Sequence, residues 1–166
     1  VDKARPLMRE TDILLVQLEC PIETISFAVD LAKNYGIPIV FNPAPAQPLS
    51  KALWKNVDYL TPNVPELLCL TGADDIDAGI QKLREWGVRN VIVTLGANGA
   101  RLVTDDLDKH LPAFEVTAVD TTAAGDAFNG ALAVALAEGR TLVDAVNLAM
   151  AAGALTATKR GAQASL

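Results

Sequence analysis

Residues 13–41 read ILLVQLECPIETISFAVDLAKNYGIPIVF, and this stretch decides the architecture. Its ends, ILLVQL at 13–18 and IPIVF at 37–41, are continuous apolar runs of strand length. Between them, residues 24–35 carry Ile25, Ala28, Val29 and Ala32 at helical spacing, and Gly36 follows as a helix terminator. Strand, helix and strand in succession form a β-α-β unit. The strands are apolar at nearly every position instead of alternating, which implies burial on both faces, as in a parallel sheet sandwiched between helices.

Outward from this unit the pattern continues. Residues 57–60 read as a third strand, 65–70 as a short helix, 74–86 as a longer helix with Ile76, Ile80 and Leu83 inward, and 90–95 as a fourth strand. Gly96-Ala97-Asn98-Gly99 is turn chemistry, and residues 100–104 and 109–112 then form an edge hairpin. Two alanine-rich helices, 125–137 and 142–156, close the core, and residues 2–10 have the charge pattern of a helix already under way. No internal repeat or low-complexity linker interrupts the chain. The expected fold is therefore a single α/β domain over residues 1–166, three-layered and Rossmann-like, its sheet mostly parallel with helices on both faces.

Composition narrows the function. With 166 residues, 51% of them hydrophobic, the chain can bury a substantial core. A formal net charge of −6 argues against nucleic acid or an anionic membrane surface as the main partner and in favour of a small molecule. Apolar runs such as 131–137 fall far short of the roughly 20 residues that cross a bilayer. Cys20 and Cys69 lie far apart without a C-x-x-C partner, so half-buried thiols in a reducing cytoplasm are expected instead of a disulfide framework or zinc site. The single histidine, His110, falls in the hairpin and reads as a surface residue, which leaves no Ser-His-Asp or Cys-His apparatus. Neither G-x-x-x-x-G-K-[ST] nor G-x-G-x-x-G occurs, which disfavours a P-loop enzyme, a protein kinase and a fingerprint dehydrogenase.

The chemistry concentrates in DTTAAGDAFN at residues 120–129, where a loop becomes an apolar helix expected to be buried with its N-terminus facing a cleft. Such an N-terminus presents unpaired amide N–H groups and about half a positive charge to an anion. Gly125 permits close approach, and Asp126 puts a carboxylate beside the same spot. The pairing points to phosphoryl transfer to an alcohol: Asp126 takes the hydroxyl proton while the amides of Ala123, Ala124 and Gly125 hold the charge on the phosphoryl group. A plain helix cap with an acidic first turn accounts for the same residues. Glu19 and Asn42 end strands, Asn63 and Gly96 follow them, and residues 120–126 open the buried helix, so an open parallel sheet brings them to one edge, where such folds bind ligands.

DTTAAGDAFNGAL at 120–132 resembles the second signature of the ribokinase (PfkB) family of sugar kinases. VQLECP at 16–21, FNPAPA at 41–46, LTPNVPELLCLTG at 60–72, VTLGANG at 93–99 and KRGAQAS at 159–165 are similar to the same family, in the same order. Many members carry glycine where this chain has Ala123; the alanine pair before Gly125 resembles a bacterial branch. The resemblance implies ATP-dependent phosphorylation of the 5-hydroxyl of D-ribose, with Asp126 as base and Ala123, Ala124 and Gly125 as anion hole. It implies that Glu19 contacts sugar hydroxyls. By the same resemblance, Asn63 and Glu66 match an N-x-x-E element that serves magnesium (Mg2+) and phosphate through water, although Val64 and Pro65 depart from the usual polar pair between them. Thr94 and Gly96 match the family's nucleotide contacts, and Met150 falls where the resemblance implies that adenine is flanked, a position that helix packing explains equally well. Asp120, Thr122, Gly161 and Ser165 match a monovalent-cation site, for potassium (K+). The resemblance further implies a cytoplasmic homodimer through lid strands. The lid, a sugar-binding aspartate, a GGKGAN-like segment and the last helix have no counterpart in this sequence, so the isolated chain is expected to be inactive. Another sugar or nucleoside kinase, or a non-catalytic nucleotide-binding module, are the alternative readings.

Overall fold

Strand β1 (Leu14–Val16), helix α1 (Ile22–Tyr35) and strand β2 (Ile39–Phe41) form the expected unit in a computed structural model that describes residues 5–163 and residue 165. Gly36 ends α1 in the left-handed conformation, its N–H returning to the carbonyls of Ala32 and Lys33. Beyond β2 come α2 (Lys51–Trp54), β3 (Tyr59–Leu60), α3 (Val64–Thr71), α4 (Ile76–Glu85) and β4 (Asn90–Thr94). The hairpin β5 (Ala100–Val103) and β6 (Asp108–Leu111) precedes α5 (Ala124–Ala137) and α6 (Leu142–Ala157). The six strands lie in chain order in one sheet, β1 to β4 parallel and β5 and β6 antiparallel at one end.

The continuous apolar strands have the cause the sequence implies. Successive side chains alternate between faces, so Ile39, Phe41, Val91 and Val93 enter one core with Val29, Leu67 and Leu83 of α1, α3 and α4. Val40 and Ile92 enter a second core with Phe128, Leu132 and Val146 of α5 and α6. Each fully buried Leu, Ile, Val or Phe contributes about 1.5–3 kcal/mol, so neither helical layer is dispensable. The structure is therefore a three-layer α/β fold with helices on both faces and an antiparallel edge hairpin. On the second face α5 and α6 cross closely at Gly153, where a Cβ would lie 3.0 Å from the Ala124 carbonyl oxygen.

Several expectations change. Helix α5 is not buried all round: Val134 is 56% exposed, because α5 meets the sheet on one side and α6 on another and has a third side uncovered. Residues 51–54 form a short helix that periodicity does not announce, held by Ser50 as cap and by burial of Leu53 and Trp54, the latter edge-on to Phe41 with ring centroids 5.4 Å apart. In the described part of residues 2–10 the helix is a 3-10 turn, Leu7–Glu10. Cys20 and Cys69 are free and exposed, not half-buried. His110 is exposed, with Nε2 2.7 Å from the Asn98 carbonyl oxygen. Among the described residues no helix is long and apolar enough to cross a membrane.

Candidate active site

The carboxyl ends of the parallel strands carry a rank of polar side chains. Gln17, Asn42 and Thr61 each follow the last residue of β1, β2 and β3. Asn42 Nδ2 donates to the Thr61 carbonyl at 3.0 Å, and Gln17 Nε2 donates to Asn42 Oδ1 at 3.1 Å and to Asp126 Oδ1 at 2.7 Å. A second thread runs from Thr61 Oγ1 to Asn129 Oδ1 at 2.6 Å, while Asn129 Nδ2 donates to the Gly125 carbonyl at 2.9 Å. Asn42, Thr61 and Asn129 are buried, so these polar groups are satisfied by one another inside the fold. Together the threads fasten the first turn of α5 to the sheet edge.

That first turn is open. Ala123, the N-cap residue, has no side-chain oxygen and sits at φ 61°, ψ 4°, a left-handed conformation that costs an alanine about 1–2 kcal/mol. The Ala124 N–H reaches the Thr121 carbonyl at 3.2 Å, and the Ala127 N–H reaches that of Ala123 at 2.9 Å. The intervening amides of Gly125 and Asp126 have no hydrogen-bond partner among the described residues. A Cβ at Gly125 would meet nothing within 4 Å, so the backbone there faces open space.

On one side of this turn lies a cavity of about 520 Å³. Ala124 and Gly125 border it at the start of α5, Thr94 at the end of β4 with Gly96 just after it, Met150 on α6, and Phe114 on the segment between β6 and α5. Its volume and mainly apolar wall suit a small ligand with an apolar part. Met150 both packs in the second core and lines the cavity. Asp126 stands beside the cavity without lining it, exposed and bonded to Gln17.

The remaining sequence-derived positions fall into separate groups. Asn63 and Glu66 form a reciprocal capping box on α3: Glu66 N–H donates to Asn63 Oδ1 at 2.8 Å, and the Asn63 backbone N–H and Nδ2 donate to the Glu66 carboxylate at 2.9 and 2.8 Å. Burial pushes the Glu66 carboxyl above its ordinary value, opposed in part by the Asn63 N–H. Asn63 also bridges to Thr94, which places the capping box next to the cavity's β4 wall. Asp120 joins two loops, accepting from the N–H groups of Gly161 and Thr122, each at 3.0 Å. Those bonds, the one from Gly161 first, hold the Asp120 carboxyl down at about 2. Ser165 is buried and donates to the Ala162 carbonyl at 2.9 Å within the same second loop. Glu19 is exposed on the turn after β1.

Among the described residues no group of three or more His, Cys, Asp or Glu side chains is gathered to hold a metal ion. A magnesium ion here would take its ligands from phosphates and water with at most one carboxylate, Glu66, a donor set that suits Mg2+. Residues 120–122 and residues 161–163 and 165 offer one carboxylate and backbone carbonyls, oxygen donors that suit a monovalent hard cation. Gln17, Thr61 and Asn129 are absent from the sequence-derived set. The signal for Gln17 was available in VQLECP, as a polar residue where an apolar strand ends.

The profile of the pfkB family carbohydrate kinases matches residues 1–166. The chain is 37% identical over 171 aligned positions to a ribokinase of Haemophilus influenzae, covering 100% of this chain and 56% of that protein. It is 36% identical to a deoxyribokinase of Salmonella typhi, covering 99% and 56%. A solved structure of Arabidopsis thaliana ribokinase complexed with ribose and ATP superposes with a TM-score of 0.93 at 29% identity, covering 100% of this chain and 56% of that one. The chain thus spans little more than half the length of the relatives it matches.

Proposed function

From the premise that the chain belongs to the pfkB family of carbohydrate kinases, we propose that the protein transfers the γ-phosphoryl group of ATP to the 5-hydroxyl of D-ribose. The observation that carries this reading is the open start of α5, with a ligand-sized cavity on one side and the Asp126 carboxylate on the other. ATP lies in the cavity with its base toward Met150 and Phe114, its phosphates directed at the free amides of Gly125 and Asp126. Ribose approaches Asp126, and Glu19 engages sugar hydroxyls from the turn after β1.

The chemistry then needs few parts. The 5-oxygen attacks the γ-phosphorus, the bond from the γ-phosphorus to the β–γ bridging oxygen breaks, and ADP leaves. The hydroxyl proton passes to the Asp126 carboxylate. Charge growing on the transferred group falls against the Ala123–Ala124–Gly125 turn and the positive end of α5, and such positioning and charge stabilisation carry most of phosphoryl-transfer catalysis. Thr94 and Gly96 border the nucleotide, and the Asn63–Glu66 pair orders water between the sheet edge and the phosphates. Mg2+, when bound, neutralises phosphate charge. Asp120, Thr122, Gly161 and Ser165 would hold K+, whose charge would stiffen the loop that leads into α5. The same reading takes the protein as a cytoplasmic homodimer.

The near-equal identity to a deoxyribokinase favours a second reading, in which the acceptor is a sugar lacking the 2-hydroxyl. Both readings are tested by supplying the full-length protein with labelled ATP and, separately, D-ribose, 2-deoxy-D-ribose and a nucleoside. Transfer to ribose at the highest kcat/KM supports the first; preference for deoxyribose replaces it with the second. ATP binding without transfer to any acceptor leaves a nucleotide-binding module and overturns both.

A further inference from the structure

We propose that Gln17 is a positioning residue for the phosphoryl-transfer base, held in the one amide orientation that lets it donate to Asp126 by a relay running across the ends of three strands. The proposal rests on the reading of Asp126 as the base. It adds Gln17 to the residues that the sequence motifs assign a role.

The relay is fixed at its Thr61 end. The Thr61 carbonyl can only accept, so the buried Asn42 must turn Nδ2 toward it, as it does at 3.0 Å. Asn42 Oδ1 is then left facing Gln17. An acceptor there requires Gln17 to present Nε2, 3.1 Å away. That nitrogen carries a second N–H, and it reaches Asp126 Oδ1 at 2.7 Å. The flipped Gln17 amide would set its oxygen against both the Asn42 oxygen and the carboxylate, two repulsive contacts in place of two hydrogen bonds. Backbone bonds hold the relay: Asn42 N–H donates to the Val16 carbonyl at 2.9 Å and Thr61 N–H to that of Phe41 at 3.0 Å.

The effect on Asp126 is directional. One carboxylate oxygen is engaged by a donor that cannot rotate away, while Oδ2 has no partner among the described residues and is left for the acceptor hydroxyl. Ala123 contributes by what it lacks, since an N-cap hydroxyl would compete for the same carboxylate. A carboxylate on the first turn of a helix with no such tether would sample several rotamers, and misplacement by about 1 Å costs on the order of a hundredfold in rate.

The test uses two near-isosteric variants of the full-length protein, with ATP binding as the control for an intact fold. Gln17→Met removes both donors; kcat falls about 10- to 100-fold while the KM for ATP changes less than about threefold. Gln17→Glu puts a second carboxylate against Asp126, and like charges at this distance oppose ionisation, so the acid limb of the kcat profile moves to higher pH by about one unit or more. A residue that merely ties strand ends together would instead weaken ATP binding and turnover together in Gln17→Met, so the split between a nearly unchanged KM for ATP and a reduced kcat separates the two roles. Wild-type kcat and an unmoved limb in both variants overturn the proposal. Loss of ATP binding in both also overturns it, because Gln17 is then a structural residue. Asp126→Asn separates the two levels: if it retains full turnover the reading of the base fails, and if it abolishes turnover while both Gln17 variants behave as wild type, only the relay fails.

Discussion

Helices α5 and α6 are near twins in composition and pack against each other, and each carries an aspartate at the third position of its first turn, Asp126 and Asp144. Their starts differ at the N-cap and in the two residues after it, Ala123-Ala124-Gly125 against Thr141-Leu142-Val143, and the N-cap difference decides what becomes of the aspartate. At α6 the N-cap is Thr141, whose Oγ1 accepts from the Asp144 N–H at 3.2 Å and donates to the Asp144 carboxylate at 2.6 Å. At α5 the N-cap is Ala123, with nothing to offer, in a left-handed conformation. Asp144 is consumed by its own helix, whereas Asp126 reaches Gln17 and keeps one oxygen free. An acidic residue in a first turn is ordinary helix chemistry; an acidic residue there without a capping partner, beside unpaired amides and a cavity, is available for work. The comparison also explains why a strained alanine is tolerated at Ala123, since a capping side chain would close the site that the strain holds open.

Neutralising the two aspartates in turn should separate the two helix starts most strongly. Asp126→Asn should lower kcat by about 10²–10⁴-fold, while Asp144→Asn should leave it within about twofold; equal effects would erase the distinction. Gly125→Val comes next. Its side chain would enter open space, so the melting temperature should hold, yet the branched group obstructs the amides and ATP affinity in calorimetric titration should drop at least about tenfold. A smaller effect is expected at the closed start: Thr141→Ala should cost about 1 kcal/mol in urea unfolding and leave ATP affinity unchanged.

The smallest concerns Asp120. Its carboxyl is held at about 2 against an ordinary 3.8, a depressed acid, so the tie it makes to Gly161 is fully present above about pH 4 and is lost as pH falls through about 2. The stability gap between wild type and Asp120→Asn should therefore close across that window. A gap that persists unchanged to pH 2 would assign it to something other than the charge.

The sequence reading succeeded where the physics is local. Runs apolar at every position announced strands buried on two faces, and β4, the hairpin, α5 and α6 fell within a residue or two of their expected ends. Residues 51–54 escaped because four residues carry no period, and it is the Ser50 cap and the burial of Leu53 and Trp54 that make them helical. Asn63-x-x-Glu66 was legible as a spacing, but the spacing alone serves a capping box and a phosphate-side element equally; the geometry displays the first. The Gln17 relay was not legible, because its partners stand 25 and 109 residues away in the chain and meet only when three strand ends and a helix start converge. The exposure of Val134 and of both cysteines likewise depends on what packs where, which no local pattern records.

The central claim is that the start of α5 binds the phosphates of ATP through amides that the fold leaves unpaired. Titration of ATP into the isotope-labelled chain, followed by amide nuclear magnetic resonance, tests it directly. The account predicts that the Gly125 and Asp126 N–H signals move furthest downfield, together with perturbation at Thr94, Gly96 and Met150, while the Val143 and Asp144 amides at the capped start of α6 stay in place. Saturating ATP that leaves the Gly125 and Asp126 signals unmoved, or shifts the two helix starts alike, would contradict it.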